Sequence, residues 1–183
     1  MKNCIAFVIL IVDTFSLTSQ AILNTSYINQ TGKKVLRLEV VLPVDITTAW
    51  KLFTTDEKLK NWIAPVAHIQ LKADRYIITN YDTSRSLTDS SCIKLPILSF
   101  IDKELLVLKV NFNGKFAQSV RNEDGQLQEI IHFKETGKNK TKIISSMTGL
   151  GTGLGTGNDW VKTYDFFAKG NEWTYRELLK QYH

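Results

Sequence analysis

The chain has 183 residues, of which 43% are hydrophobic and 22% charged, with a formal net charge of +5. This length suits one globular domain with a substantial core and is too short for two such domains. The basic residues are scattered or interleaved with acidic ones, and no stripe of basic and aromatic side chains emerges. The positive charge is therefore typical of a solvated surface, and no nucleic-acid partner is predicted.

The first 21 residues have the pattern of a secretory signal peptide. Lys2 gives a short positive region, residues 5–12 form an apolar run, and Ser19 and Ala21 supply a small-x-small cleavage pattern. The eight apolar residues would extend about 12 Å as a helix, far less than the hydrocarbon core of about 30 Å, so no stable membrane span is predicted. We therefore expect cleavage after Ala21, a secreted or periplasmic mature chain, and a flexible, polar lead-in over residues 22–33.

A strand and two short helices are predicted between residues 34 and 65. Apolar residues at every second position indicate a strand that is buried on one face: Leu36, Leu38, Val40 and Leu42. Asp45 is a favourable N-cap for the first helix, and the second helix begins near Thr55. Each helix has an apolar face, formed by Ile46, Ala49, Trp50 and Phe53 in the first and by Leu59 and Trp62 in the second.

The rest of the chain is predicted to form a sheet and one long helix. Six further segments are rich in apolar and β-branched residues and are predicted as strands: 67–71, 75–81, 91–101, 104–112, 127–135 and 141–148. The helix is predicted from Asn158 to Tyr182, with Asn158 as its N-cap. These elements can bury their apolar faces if the sheet curls around the final helix, so the predicted fold class is α+β.

Motifs at both ends of this region resemble those of one protein family. They comprise Ala49-Trp50, Phe53-Thr54, Leu59, Trp62 and Ala64-Pro65 near the start, and Gly157, Trp160, Phe167 and Trp173 near the end. In order and separation they resemble SRPBCC (START-like, helix-grip) domains, in particular the activator of heat-shock-protein ATPase homologue-like branch. The resemblance covers residues 34–183. It implies a curved antiparallel sheet of about six or seven strands around a long C-terminal helix, a two-helix insert after the first strand, and a bacterial source.

The space between such a sheet and its helix is often a ligand cavity, and the resemblance implies that the helical pair borders its mouth. Aromatic side chains can line an apolar ligand site, with tyrosine hydroxyls as polar anchors, although the same residues also suit an ordinary core. The predicted ligand-binding residues come from the helical pair, two strands and the final helix: Trp62, Ile77, Tyr81, Leu108, Trp160, Tyr164 and Phe167.

No catalytic, metal-binding or cofactor-binding motif is recognised. His68, His132 and His183 lack the spacing of metal ligands, and the glycine-rich segment 149–157 lacks both common nucleotide-binding patterns. That segment is predicted to be a flexible connection between strand and helix. The available candidates for acid–base chemistry are weak and isolated in the sequence: Arg75, Tyr81, His132 and Asp165.

Three functions remain open at this point. The leading hypothesis is an exported protein that holds a small hydrophobic or amphipathic, lipid-like ligand in the helix-grip cavity and needs no cofactor. The second is a protein-interaction module of the chaperone-ATPase-activator type, which the predicted leader disfavours because cytosolic chaperones would be out of reach. The third is a cavity-based enzyme of the cyclase, hydratase or hydrolase type. The sequence leaves the oligomeric state and the identity of the ligand open.

Overall fold

A computed structural model of the chain describes residues 22–122, 124–151 and 157–182. The predicted signal peptide and the centre of the glycine-rich segment, residues 152–156, lie outside these ranges. Within them, no helix combines the length and the apolar character needed to cross a membrane.

Nine strands and four α-helices occur in the described ranges. The strands are β1 (Leu23–Asn24), β2 (Tyr27–Ile28), β3 (Lys34–Leu42), β4 (Val66–Ile69), β5 (Tyr76–Asn80), β6 (Ile93–Ile101), β7 (Leu105–Lys109), β8 (Gln128–Gly137) and β9 (Lys140–Thr148). The helices are α1 (Ile46–Thr54), α2 (Asp56–Leu59), α3 (Gln118–Arg121) and α4 (Asn158–Leu179). Two short 3-10 turns lie at Asp124–Gln126 and Lys180–Tyr182.

The strands pair antiparallel in one curved sheet, in the order β1-β3-β9-β8-β7-β6-β5-β4, with β2 also pairing with β3. The long helix α4 lies on the concave side of this sheet, and α1 and α2 follow β3 as the two-helix insert. The predicted α+β helix-grip fold is confirmed, and the seven predicted strands correspond to β3–β9.

Residues 22–33 differ from the sequence prediction. They were expected to form a flexible lead-in, yet they contain β1 and β2, which pair with β3. Side chains support this pairing, because Thr25 Oγ1 donates a hydrogen bond to Glu39 Oε1 at 3.1 Å and the backbone N–H of Arg37 donates to Ser26 Oγ at 3.0 Å. Each strand has two residues, too few for a periodic pattern, and its partner is the otherwise free edge of β3.

Alternation along the central strands decides which side chains lie on the concave face. On β3 the inward residues Leu36, Leu38, Val40 and Leu42 are buried, as the sequence pattern predicts. On the neighbouring strand β9, Thr141, Ile143, Ser145 and Met147 are buried in the same way. The two strands are in register with Leu36 opposite Met147 and Leu38 opposite Ser145. The concave face is therefore largely apolar at this end of the sheet.

Four aromatic side chains join the helical pair to the sheet. The rings of Trp50 and Phe53 on α1 each lie 5.0 Å from the ring of Phe133 on β8, and Phe53 lies 4.8 Å from Trp62. All three contacts are edge-to-face, a geometry in which each pair contributes about 0.5–1.5 kcal/mol beyond the burial of its surface. The two-helix insert is thus part of the main core.

The ends of the helices agree with the sequence prediction at α1 and differ slightly at α4. Asp45 caps α1, with Oδ1 accepting a hydrogen bond from the backbone N–H of Thr48 at 3.0 Å. Helix α4 begins at Asn158 as predicted, but its N-cap is Gly157, and no side chain caps it. Asp159 in the first turn instead accepts a hydrogen bond from Ser119 Oγ at 2.7 Å, because α3 lies against this end of α4.

Asp56 in α2 connects the helical pair to β4. Its Oδ1 accepts a hydrogen bond from the backbone N–H of Ile69, and its Oδ2 lies 2.7 Å from Nδ1 of His68. Burial by itself raises the pKa of Asp56, but the hydrogen bonds from His68 and Ile69 outweigh it, so the pKa lies below its ordinary value. The carboxylate form therefore stabilises the folded chain.

Replacement of Asp56 by alanine is expected to lower the free energy of unfolding at pH 7 by about 1 kcal/mol, because two hydrogen bonds to a partly exposed carboxylate are lost. Since folding lowers this pKa, the contribution is complete above about pH 4 and is lost as the pH falls through the lower folded value. Urea unfolding of both proteins from pH 7 to pH 2 measures the difference. Glu57→Ala is the matched control, and a pH-independent loss in Asp56→Ala would contradict this account.

Two glycines of the predicted flexible connection have specific structural roles. Gly149 has φ +86°, and a Cβ there would lie 2.3 Å from the carbonyl oxygen of Gln126. Gly151 has φ +69°, and a Cβ there would lie 2.8 Å from the ring of Trp160. The left-handed backbone and the close approach both favour glycine at these positions. This part of the segment is therefore closely packed against its neighbours.

Gly149→Ala is expected to lower the free energy of unfolding by more than about 2 kcal/mol, because the left-handed conformation is strained for alanine and the Cβ meets backbone atoms that cannot rotate away. Gly114→Ala is the control, since no atom lies within 4 Å of the added Cβ. Its effect should stay within about 0.5 kcal/mol. Equal stabilities of the two variants in calorimetric melts would show that Gly149 is not required.

Candidate ligand-binding cavity

A cavity of about 880 Å³ lies between the concave face of the sheet and α4. The sheet contributes apolar side chains from five strands: Ile77, Leu95, Leu106, Leu108, Ile131 and Met147. The helical pair and the turn after it contribute Phe53, Leu59, Trp62 and Ile63. The wall is therefore mainly apolar, as in sites that bind small hydrophobic molecules.

The helix side of the cavity is lined in part by small residues. Thr163, Gly170 and Thr174 follow one another at intervals of seven and four residues, which puts them near one face of α4, with Phe167 between them. A Cβ at Gly170 would have no atom within 4 Å. The short side chains leave space that the curved sheet does not fill.

Five of the seven predicted site residues line this cavity. They are Trp62, Ile77, Tyr81, Leu108 and Phe167. The indole N–H of Trp62 donates a hydrogen bond to the carbonyl oxygen of Leu52 at 2.9 Å, so its ring provides an apolar surface rather than a polar anchor. The role of these five lining residues in binding a ligand stays a prediction.

Trp160 and Tyr164 do not line the cavity. The ring of Trp160 lies 5.9 Å from Phe112 and covers Gly151, while the ring of Tyr164 lies 4.2 Å below Nζ of Lys34 on β3. The structure therefore places these two predicted residues outside the cavity lining, and their role in binding a ligand stays a prediction. Other aromatic residues of α4, Phe167 and Tyr175, do line the cavity beside the smaller residues of the helix.

Phe116 is a cavity residue that the sequence pattern did not reveal. It lies in the long polar connection between β7 and β8, yet its ring stacks on Phe167 at 5.8 Å with 4° between the planes. It also contacts Phe112 at 4.7 Å and Phe166 at 5.4 Å. A single aromatic residue in a polar segment has no periodicity, so local sequence gives little signal for such a contact.

Four large apolar side chains at the rim of the cavity are exposed to solvent. Their exposed fractions are 57% for Tyr81, 38% for Ile93, 61% for Phe166 and 53% for Trp173. Exposed aromatic residues grouped around an opening are typical of an interaction or binding site. The cavity therefore has an apolar rim as well as apolar walls.

Two acidic side chains line the cavity: Glu129 on β8 lies in the inner wall, and Asp159 lies at the start of α4, where the exposed Lys115 and Lys162 also border the cavity. The Oε1 atom of Glu129 accepts a hydrogen bond from Ser145 Oγ on β9 at 2.7 Å. Burial raises the pKa of Glu129, and the hydrogen bond from Ser145 opposes this increase in part. Tyr175 on α4 is close to both residues: burial raises the pKa of its hydroxyl well above the ordinary value, the Glu129 carboxylate raises it further, and Ser145 lowers it.

The acid–base candidates from the sequence do not gather at the cavity. Arg75, His132 and Asp165 are exposed and do not line it, and Tyr81 lies at the rim. Glu129 was missed, although a signal was available: it precedes Ile131 and Phe133 at intervals of two residues, which puts it on the same inward face of the strand. Within the described ranges, no three His, Cys, Asp or Glu side chains come together as a metal site would require.

Comparisons with known proteins agree with this architecture. No protein-family model matches the chain, and no curated protein sequence matches it. Among solved structures, protein MLL2253 from Mesorhizobium loti is similar with a TM-score of 0.60 and 10% identity over 80% of this chain and 94% of that one. An Aha1 dimer structure from Colwellia psychrerythraea has a TM-score of 0.53 and 12% identity, and the match covers 75% of this chain and 90% of that one. An HSP90 activator from Plasmodium falciparum has a TM-score of 0.50 and 12% identity, and the match covers 74% of this chain and 88% of that one. The chain therefore shares the fold of these structures, and this is the helix-grip fold that its motifs predict.

Phe167→Ala is expected to lower the free energy of unfolding by less than about 2 kcal/mol, because the half-buried ring borders open space, and to enlarge the cavity. Phe133→Ala is the control. Phe133 is buried in the aromatic cluster away from the cavity, so its loss should cost about 3–5 kcal/mol. Urea unfolding gives both values, and equal large losses would identify Phe167 as ordinary core.

Proposed function

We propose that this protein binds a small hydrophobic or amphipathic molecule, lipid-like in character, in the cavity between the sheet and α4. The observation that carries the proposal is an apolar cavity of about 880 Å³ inside a single domain. Well-packed interiors contain few voids larger than a water molecule, whereas ligand sites have volumes of about 300–1,000 Å³. A space of this size is therefore better explained by a ligand than by imperfect packing.

The rim supports the same proposal. Phe166 and Trp173 on α4 stand across from Tyr81 and Ile93 on the sheet side, and all four combine large exposed area with a position at the cavity. Exposing such side chains without a partner opposes solubility, since the hydrophobic effect favours their burial. An apolar ligand that enters between them would cover part of this surface.

Export from the cytoplasm is part of the proposal. It depends on the signal-peptide pattern of residues 1–21, with cleavage after Ala21. A binding protein in the periplasm or outside the cell would carry apolar molecules that are poorly soluble in water. N-terminal sequencing of the secreted product, together with fractionation of a C-terminally tagged chain, tests this part separately.

Gly170→Trp is the sharpest test of binding in the cavity. Gly170 is an exposed residue that borders the cavity, and no atom lies within 4 Å of where its Cβ would lie, so the new side chain can cover the opening without displacing backbone. Replacing a glycine within a helix also favours helix formation by several tenths of a kcal/mol or more. We expect a folded protein of equal or higher stability that no longer retains cell lipids in native mass spectrometry.

Two controls separate blocking from other effects. Gly170→Ala should gain helix stability and keep its ligand, because the methyl group fills little of the cavity. Lys169→Trp places the same large side chain on the exposed residue before Gly170, which does not line the cavity, and should also keep its ligand. Unchanged lipid retention in Gly170→Trp, or no retained lipid in the unmodified protein, would contradict the proposal.

The second candidate function is a protein-interaction module. Its support is the likeness to structures named as an Aha1 dimer and an HSP90 activator, which at 12% identity extends to the fold alone. A cytoplasmic, uncleaved product in the fractionation experiment would favour this candidate. The cavity-based enzyme ranks third: its support is the pair of Glu129 and Ser145, in which the carboxyl group accepts a hydrogen bond from the serine hydroxyl, but Ser145 does not itself line the cavity.

A further inference from the structure

Glu129 is the acidic group of the inner cavity wall, and its surroundings are apolar. On either side of it in the sheet lie Leu108 of β7 and Met147 of β9, which are its register partners and are themselves buried. Glu129 is half-buried because one side borders the cavity, while protein surrounds the rest. A carboxyl group at the end of a buried apolar face costs folding free energy that an apolar residue would not.

The hydrogen bonds and charges around this carboxyl group leave one side of it available. Ser145 Oγ donates to Oε1, and among the described residues no second hydrogen bond and no ion pair is made by Glu129. Tyr175, with 4% of its surface exposed, contributes a second neutral hydroxyl group nearby. The carboxyl group is thus held by a neutral partner, and the lysines of the cavity lining, Lys115 and Lys162, are exposed and form no ion pair with it among the described residues.

We propose that Glu129, with Ser145 and Tyr175 beside it, forms a polar anchor that recognises one neutral hydroxyl group on an otherwise apolar ligand. This inference rests on the proposed function, since it assigns the polar end of the molecule bound in the same cavity. A hydroxyl group can donate to an ionised carboxylate and can also accept from a protonated one. It therefore fits this anchor in either protonation state.

The same surroundings disfavour charged head groups. A carboxylate on the ligand would lie next to Glu129 in an apolar wall, where like charges repel strongly. An ammonium group beside Glu129 would have to leave water for a position whose adjacent polar groups are the neutral hydroxyls of Ser145 and Tyr175, and one carboxylate compensates poorly for that loss. The raised pKa of Glu129 agrees with a site that favours neutral groups.

The test compares three probes with the same alkyl chain: 1-decanol, decanoate and decylammonium. Isothermal titration at neutral pH to the purified protein gives a dissociation constant for each. We expect decanol to bind more tightly than either charged probe by about tenfold or more, which is a modest discrimination for an uncompensated charge in an apolar wall.

Glu129→Gln assigns the effect to this residue. The amide keeps the shape and a hydrogen-bonding group but removes the charge, so the ratio of the decanoate to the decanol dissociation constant should fall by about tenfold. Glu135→Gln makes the same change at an exposed position of the same strand, outside the cavity lining, and should leave that ratio unchanged. Thermal melts of both variants check that they are folded. We expect Glu129→Gln to fold, because removal of a buried charged group favours folding.

Each outcome decides a different question. The polar anchor would be overturned by equal affinity for the three probes, by tighter binding of decylammonium, or by a ratio of decanoate to decanol dissociation constants that Glu129→Gln does not change. In each of these cases, loss of binding in Gly170→Trp would still support the cavity as the binding site. If Glu129→Gln does not fold, the head-group ranking in the unmodified protein decides alone. Failure of all three probes to bind would count against the proposed function and this inference together.

Discussion

The architecture depends on a mismatch between a strongly curved sheet and the helix that lies in it. A concave sheet can be filled completely when the facing helix carries large side chains at every inward position. On α4 those positions include Thr163, Gly170 and Thr174, so the helix touches the sheet at its ends and leaves the middle open. Leu178 and Tyr175 are buried at one end, and Trp160 is buried at the other. The cavity is therefore a consequence of where small residues lie on one helix.

The rest of the core is arranged so that this open space does not collapse. The edge-to-face contacts of Trp50, Phe53 and Phe133 hold the helical pair on the sheet, and Asp56 connects α2 to β4 through two hydrogen bonds. These interactions surround the cavity without entering it, apart from the ring of Phe53. Close packing around an open space keeps the walls in place before any ligand arrives, which reduces the cost of ordering them on binding.

Glu129 shows how stability and recognition conflict in such a site. An apolar residue at this strand position would suit the buried register partners Leu108 and Met147 better than a carboxyl group does. The hydrogen bond from Ser145 offsets part of the cost and fixes the orientation of the group. Local departures from a consistent core pattern of this kind are typical of functional positions. In the proposed binding mode, the polar cluster would also contact one end of a ligand, while the rest of the ligand would meet apolar walls.

The sequence by itself determined most of the secondary structure and, through its resemblance to a family, the fold, but it did not reveal β1 and β2. Period-two alternation on β3, the apolar and β-branched segments that follow it, and the N-cap at Asp45 are local patterns, and patterns of this kind predicted β3–β9, α1, α2 and α4. The tertiary structure decided the rotation of α4, which turned Trp160 and Tyr164 away from the cavity and brought Gly170 to it. It also decided the contact of Phe116 with Phe167 and the meeting of Glu129, Ser145 and Tyr175 from three elements. Local patterns report which side of an element is apolar, whereas the filling of the space between two elements depends on both surfaces at once, so it is fixed when they pack.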